Sequence, residues 1–171
     1  MSSIPASRLG AVALAVSVVL TACSSDKKAS DSGRFLSLRP VLDTSAPPCP
    51  AGSSGNAEPV LPLVKDGKAA ECLRLGSPVV DDRDVRTASY SYNLDQAQPE
   101  VGIVLGSTGA ANLDDFAAGH MGQRLAVVYK GKLATAPVIR TSSFVGRIVV
   151  TGLSKAEAED LFNRLKQKSG G

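Results

Sequence analysis

The chain has no tryptophan, one histidine, two methionines, and only three tyrosines and four phenylalanines in 171 residues. Its core therefore rests on Val, Leu, Ile and Ala. With His120 as the single histidine and only three cysteines, no His/Cys set stands at metal-ligand spacing, so neither a zinc nor an iron site is expected. An excess of one charge sign is also missing. Nineteen Lys+Arg face sixteen Asp+Glu, the two signs are interspersed, and no basic run exceeds Lys27-Lys28. That pattern excludes the basic stripe of a nucleic-acid binder. Long apolar runs are absent too. The run Leu9 to Leu20 reaches only ~18 Å as a helix at ~1.5 Å per residue, short of the ~30 Å hydrocarbon layer. It makes a poor permanent membrane span.

What that run does resemble is an export signal: one positive charge at Arg8, an apolar core, and a small-residue exit. It ends in Leu20-Thr21-Ala22-Cys23, which resembles the lipobox of bacterial lipoproteins. The resemblance implies cleavage before Cys23, a diacylglyceryl group on its thiol, and Cys23 as the acylated first residue. Ordinary cleavage on an A-x-A pattern fits less well, because Leu20 occupies the first small-residue position. The competing reading is a chance cysteine after a plain signal peptide or signal anchor. Removal of residues 1–22 takes Arg8 with it and leaves 149 residues of net charge about +2, enough for one domain with a real core. With Cys23 lipidated, Cys49 and Cys72 remain as a pair in an oxidising compartment. A bridge between them closes a loop of roughly 24 residues, stabilising by roughly 3 kcal/mol; the alternative is two reduced thiols.

From Ser24 to Gly33 the chain is short, polar and aperiodic, and reads as a tether reaching ~35 Å at most. Residues 34–168 read as the domain, with 169–171 as a tail. Arg34 to Leu42 predicts a first strand, at a sheet edge because Pro40 cannot donate to a ladder. Residues 43–70, with five prolines and a Gly-Ser-Ser-Gly run, predict a long loop pinned by the Cys49–Cys72 bridge. Strands follow at Glu71–Val80, Val85–Leu94 and Glu100–Leu105. A helix is expected from Ser107 to Gly122, with Leu113, Phe116, Ala117, His120 and Met121 on one face. Gln123–Lys130, a return from Leu133 toward Ile139, and Gly146–Thr151 complete the strands. Ser154 and Glu157 form a capping box for a last helix carrying the stripe Ala158, Leu161, Phe162 and Leu165. The fold class is α+β: a mostly antiparallel sheet with two helices on one face.

Catalytic chemistry finds little support. There is no G-x-S-x-G, and His120 on an apolar helix face reads as a boundary histidine. Gly106-Ser107-Thr108-Gly109 lacks the spacing of a phosphate loop and reads as a strand-to-helix turn with Ser107 or Thr108 near the cap. Asp81, Asp82 and Asp84 around Arg83 and Arg86 read as solvated turn charge, lacking the order of a calcium loop. Asp114 and Asp115 are assigned to the helix dipole. Neither a cofactor nor an enzymatic activity is expected.

The segment Leu125-Ala126-Val127-Val128-Tyr129-Lys130-Gly131-Lys132-Leu133-Ala134-Thr135-Ala136-Pro137-Val138-Ile139, followed by Gly146 to Ala158, resembles the first periplasmic domain of the SecD protein-export family. Arg39-Pro40-Val41, Leu75-Gly76-Ser77-Pro78-Val79 and Asp84-Val85-Arg86-Thr87-Ala88 match the same family upstream, in order. The resemblance runs from about Arg34 to Gln167 with a gap over the proline-rich stretch. It implies the head and part of the base of that domain, α+β with ferredoxin-like character, which in the family contacts the emerging polypeptide. Tyr129-Lys130-Gly131 stands where Leu-Asp-Gly is usual, so any role of that acid is lost, and the resemblance does not extend to the family's transmembrane motor. The resulting expectation is a lipid-anchored, non-catalytic binding module in the cell envelope. It would sit on the outer face of the cytoplasmic membrane, or on an outer membrane if the cell has one. Its partners would be the translocation machinery or unfolded exported chains. Sheet edges and the loop Val138–Gly146 offer strand addition, with Tyr129, Pro137 and Phe144 as the contact surface; the same three also read as ordinary turn and packing positions. The alternative is an envelope lipoprotein that kept the fold and binds an unrelated ligand.

Overall fold

A computed structural model describes residues 33–50, 58–65 and 67–169. The Leu20–Cys23 stretch and most of the tether lie outside them. Nine strands and two helices follow one another as β1 (Leu36–Ser45), β2 (Val60–Lys65), β3 (Lys68–Leu75), β4 (Val80–Asp81), β5 (Val85–Asn93), β6 (Gln98–Leu105), α1 (Ser107–Gly119), β7 (Leu125–Tyr129), β8 (Lys132–Thr135), β9 (Arg147–Val150) and α2 (Lys155–Ser169). Every strand pairing is antiparallel. The α+β expectation holds, but the strands divide into two sheets. The first runs β2-β3-β1-β7-β8, with β4 also on β1; the second runs β5-β6-β9.

The expected edge strand is central. β1 pairs with β7 through Leu36–Pro40, while its opposite side meets first β4 and then β3, from Val41 to Ser45. Pro40 sits where β1 changes partner from β4 to β3, beside a register shift between Val41 and Asp43. Its missing N–H falls in that gap, and its carbonyl still accepts from Gly76 N at 2.9 Å. A bulge is a site where an interior strand tolerates proline.

The expected loop 43–70 is shorter than its prolines imply. β1 continues to Ser45, and β2 forms inside the proline-rich stretch. Pro62 is tolerated because β2 is an edge strand, bonded among the described residues to β3 on one side only. A disulfide joins Cys49 to Cys72, which is buried in β3. Replacing both cysteines by serine is expected to lower stability by about 3 kcal/mol, from the loop length. Urea unfolding of the pair variant against the wild type measures it, and unchanged midpoints would show that the bridge contributes nothing.

Two cores result. The larger is shared by Leu36 and Leu38 of β1, Leu125, Val127 and Tyr129 of β7, the inner face of β6 (Val101, Ile103, Leu105), Val150, and both helices through Leu113, Ala117, Ala158, Leu161 and Leu165. The smaller fills the curl of the first sheet, whose end strands β2 and β8 pack against each other over Leu63, Leu73, Leu75, Ala126, Val128 and Ala136. β7 is consequently buried on both faces. The capping box of α2 forms as its sequence implies, with Ser154 N donating to Glu157 at 3.0 Å and Glu157 N to Ser154 Oγ at 3.3 Å.

The turn before α1 differs in detail. Gly106, not Ser107 or Thr108, is the cap, with no side-chain hydrogen bond, and its N–H donates to Asp84 O at 2.8 Å. Gly109 is required because a Cβ there would lie 2.6 Å from Asp84 Cβ. Of the two glycines that look like a phosphate loop, Gly109 thus serves close packing and Gly106 caps the helix.

Candidate functional site

An apolar cleft lies where the second sheet meets the first. After β8 the chain runs beside the start of β7, with Leu125 N donating to Pro137 O and Ile139 N to Gln123 O. It then turns away through 140–146 and enters β9. Thr141 Oγ1 donates to Ser143 O at 2.8 Å, and Ser143 Oγ and Phe144 N both donate to the Asp114 carboxylate, at 2.8 and 2.7 Å. Val145 and Gly146 then take φ of 52° and 64°. A β-branched residue in the left-handed region is strained. Gly146 is held there against α1, where a Cβ would come within 2.9 Å of Ala110 Cβ.

Between this segment and β9 lies a cleft of about 270 Å³. Leu38, Leu125, Val127, Ile139 and Val150 line its buried part; Pro137 and Phe144 complete the wall. One side is a free sheet edge, since among the described residues β9 bonds only to β6. Leu105 N donates to Gly146 O, which fixes the phase of the antiparallel ladder: Gly146, Ile148 and Val150 face β6, while Arg147 and Val149 direct N–H and C=O outward. Arg147 N is satisfied by Phe144 O at 2.9 Å. Val149, whose residue surface is 60% exposed, turns both its backbone groups away from β6.

Of the three residues expected at a contact surface, Pro137 and Phe144 meet at this cleft and Tyr129 does not. Tyr129 is buried in the larger core; its hydroxyl bonds to Asp160 of α2, and it lines a separate depression with Lys130, Lys132 and Glu157. Burial and the neighbouring carboxylate push its pKa up. Asp160 in turn is held down to about 2, first by Lys130, then by Tyr129, with Arg164 adding to it. Lys130, in the turn where the SecD pattern has an acid, therefore pins the β7–β8 hairpin to α2 at 2.5 Å.

Other expectations change with burial. Asp81 and Asp82 are not solvated turn charge. Both are buried, with Asp81 on Arg34 and Arg83, and Asp82 on Lys168 and Phe35 N. Asp114 lies beyond the first turn of α1, so it serves the loop rather than the dipole. His120 behaves as a boundary residue, stacked on Phe116 at 3.9 Å with Nδ1 2.7 Å from Phe116 O. Among the described residues no cluster of His, Cys, Asp or Glu is placed to hold a metal. Sequence reasoning missed Val149, Arg140 and Arg147. The available signal was the alternation Arg-Ile-Val-Val after two turn residues, which marks a strand but not its unpaired side.

The bonds from Phe144 N and Ser143 hold the Asp114 carboxyl below its ordinary value of 3.8. A depressed folded-state pKa contributes stability above the unfolded value and loses it as pH falls through the folded one. The Phe144 amide NMR signal is therefore expected to titrate with a midpoint below 3.8. The transition should vanish in Asp114→Asn; a midpoint at or above 3.8 would show that the loop is not tied there.

Two antiparallel sheets, two helices and a lateral cleft at a sheet edge define an α+β head-type domain. The family model for "SecDF, P1 head subdomain" matches residues 60–169, well over half the chain. The chain belongs to that family. It is 33% identical over 129 residues to the protein translocase subunit SecD of Rhodobacter capsulatus, covering 74% of this chain and 22% of the relative. It is 34% identical over 84 residues to SecDF of Thermus thermophilus, covering 48% and 11%. This chain thus spans about a fifth or less of those relatives. Two solved structures share the fold. One, described as a membrane component SecDF that enhances protein export, matches with a TM-score of 0.56 at 22% identity, over 78% of this chain and 62% of that one. The other, SecDF in a super-membrane-facing form, matches with 0.51 at 23% identity, over 72% and 17%. No helix among the described residues is long and apolar enough to cross a membrane.

Proposed function

We propose that this protein is an exported lipoprotein, anchored through Cys23, whose head domain holds extended segments of exported polypeptides without catalysing a reaction. The observation that carries the reading is the free edge of β9 beside an apolar cleft, with Val149 N–H and C=O turned toward it. Strand addition supplies main-chain hydrogen bonds, which any sequence offers, and the cleft accepts alternate side chains. That combination suits unfolded chains of varied sequence. Family membership supports a place in protein export, since the relatives are translocase subunits. The translocation machinery is the corresponding partner.

Val149→Pro isolates the edge. Its N–H is not used by the β6 ladder, so proline removes only the outward donor, and Ile148 before it is already extended. Binding of an unfolded exported polypeptide to the mature chain is expected to fall at least about tenfold, the worth of roughly one bond plus its misfit, with the circular dichroism spectrum unchanged. Equal binding by a folded Val149→Pro variant would rule out the edge.

A further inference from the structure

The cleft carries charge of one sign. Arg140 and Arg147 are the charged residues that line it, both exposed, and no carboxylate lines it with them. Most other arginines are tied down: Arg34 and Arg83 on Asp81, Arg74 on Glu58, Arg124 on Glu71, Arg164 on Asp160. Arg140 and Arg147 make no ion pair and no side-chain hydrogen bond among the described residues. Arg86 shares that state but does not line the cleft. The nearby acid on α1, Asp114, is committed to Ser143 and Phe144. Two guanidinium groups therefore flank an apolar slot without a counter-charge.

Resting on the strand-addition reading above, we infer that the cleft selects extended polypeptide segments in which a carboxylate side chain is followed by alternating apolar residues. The register makes this specific. A strand added parallel to β9 places one residue opposite Arg147, on the outward side, and the residues one and three positions after it opposite Ile148 and Val150, on the side that faces the buried lining. An Asp or Glu opposite Arg147 gains a cross-strand partner, and Arg140 lies on the other wall of the same cleft. A lysine there meets two cations. The outward N–H and C=O of Val149 argue for a peptide as occupant rather than an acyl chain, which offers them nothing.

The test uses three synthetic eight-residue peptides with one alternating Val/Thr run, preceded by Glu, Gln or Lys. Binding to the disulfide-bonded mature chain is followed by fluorescence anisotropy at low and high salt. Glu is expected to bind tighter than Gln and Gln tighter than Lys, with about fivefold between the ends, as two exposed charge pairs allow. The spread should shrink as salt rises. The double variant Arg140→Glu/Arg147→Glu should reverse the order. Equal binding of all three peptides would overturn the charge selection and leave the strand-addition reading standing. Failure of all three would overturn both. Displacement of the Glu peptide by a long-chain fatty acid, with Val149→Pro still binding it, would reassign the cleft to acyl chains.

Discussion

Leu161→Ala is expected to lower the free energy of unfolding by about 2–5 kcal/mol, the range for truncating a buried leucine. Leu161 has no exposed surface and belongs, with Ala158 and Leu165, to the stripe by which α2 enters the larger core. A fifteen-residue helix is marginal on its own in water. Its order comes from packing, chiefly on β5 and β6, so a cavity at its centre also loosens the second sheet. Urea unfolding reads the change as a lower midpoint at unchanged slope. Leu94→Ala is the control: Leu94 is 84% exposed and its removal should cost almost nothing. A loss below about 1 kcal/mol for Leu161→Ala would mean that α2 does not dock as described.

Cys23→Ser is expected to abolish labelling by a fatty-acid probe and to move the protein from the membrane fraction to the soluble one. The argument is energetic. Acyl chains contribute about 0.8 kcal/mol per buried CH₂; one chain holds marginally and two hold stably. A diacylglyceryl cysteine meets that requirement, whereas a mature net charge of about +2 does not. Equal labelling of wild type and variant would end the lipoprotein reading and with it the proposed location of the head.

The sequence was most informative where a pattern is local. The capping box at Ser154 and Glu157, the stripe of α2 and the apolar strand β7 all follow from spacing of three, four or two residues. The pairing of Cys49 with Cys72 followed from elimination rather than from geometry. What spacing does not carry is the identity of a strand's neighbours. Pro40 marked β1 as an edge because the rule concerns a missing donor, yet the donor is missing at a place where β1 is changing partners. Pro59 and Pro62 hid β2 for the same reason: proline excludes a central strand, and β2 is an edge. Pro137 and Phe144 both line the cleft, where the chain turns between β8 and β9. Tyr129 takes the second of its two readings, a packing position, because β7 is buried on both faces. Val149 was invisible, since nothing in Arg-Ile-Val-Val reveals that one side of the strand is unbonded.

Asp82 ties the two ends of the domain together. Its carboxylate accepts from Phe35 N at 3.2 Å and holds Lys168 Nζ at 2.5 Å, so the entering chain and the last turn of α2 share one buried acid. A unit whose entrance and exit coincide is closed on itself. A longer polypeptide can carry it as an insertion and a single lead can carry it as a pendant, with the interior unchanged in either setting. That portability accords with a fold that makes up about a fifth of a longer relative.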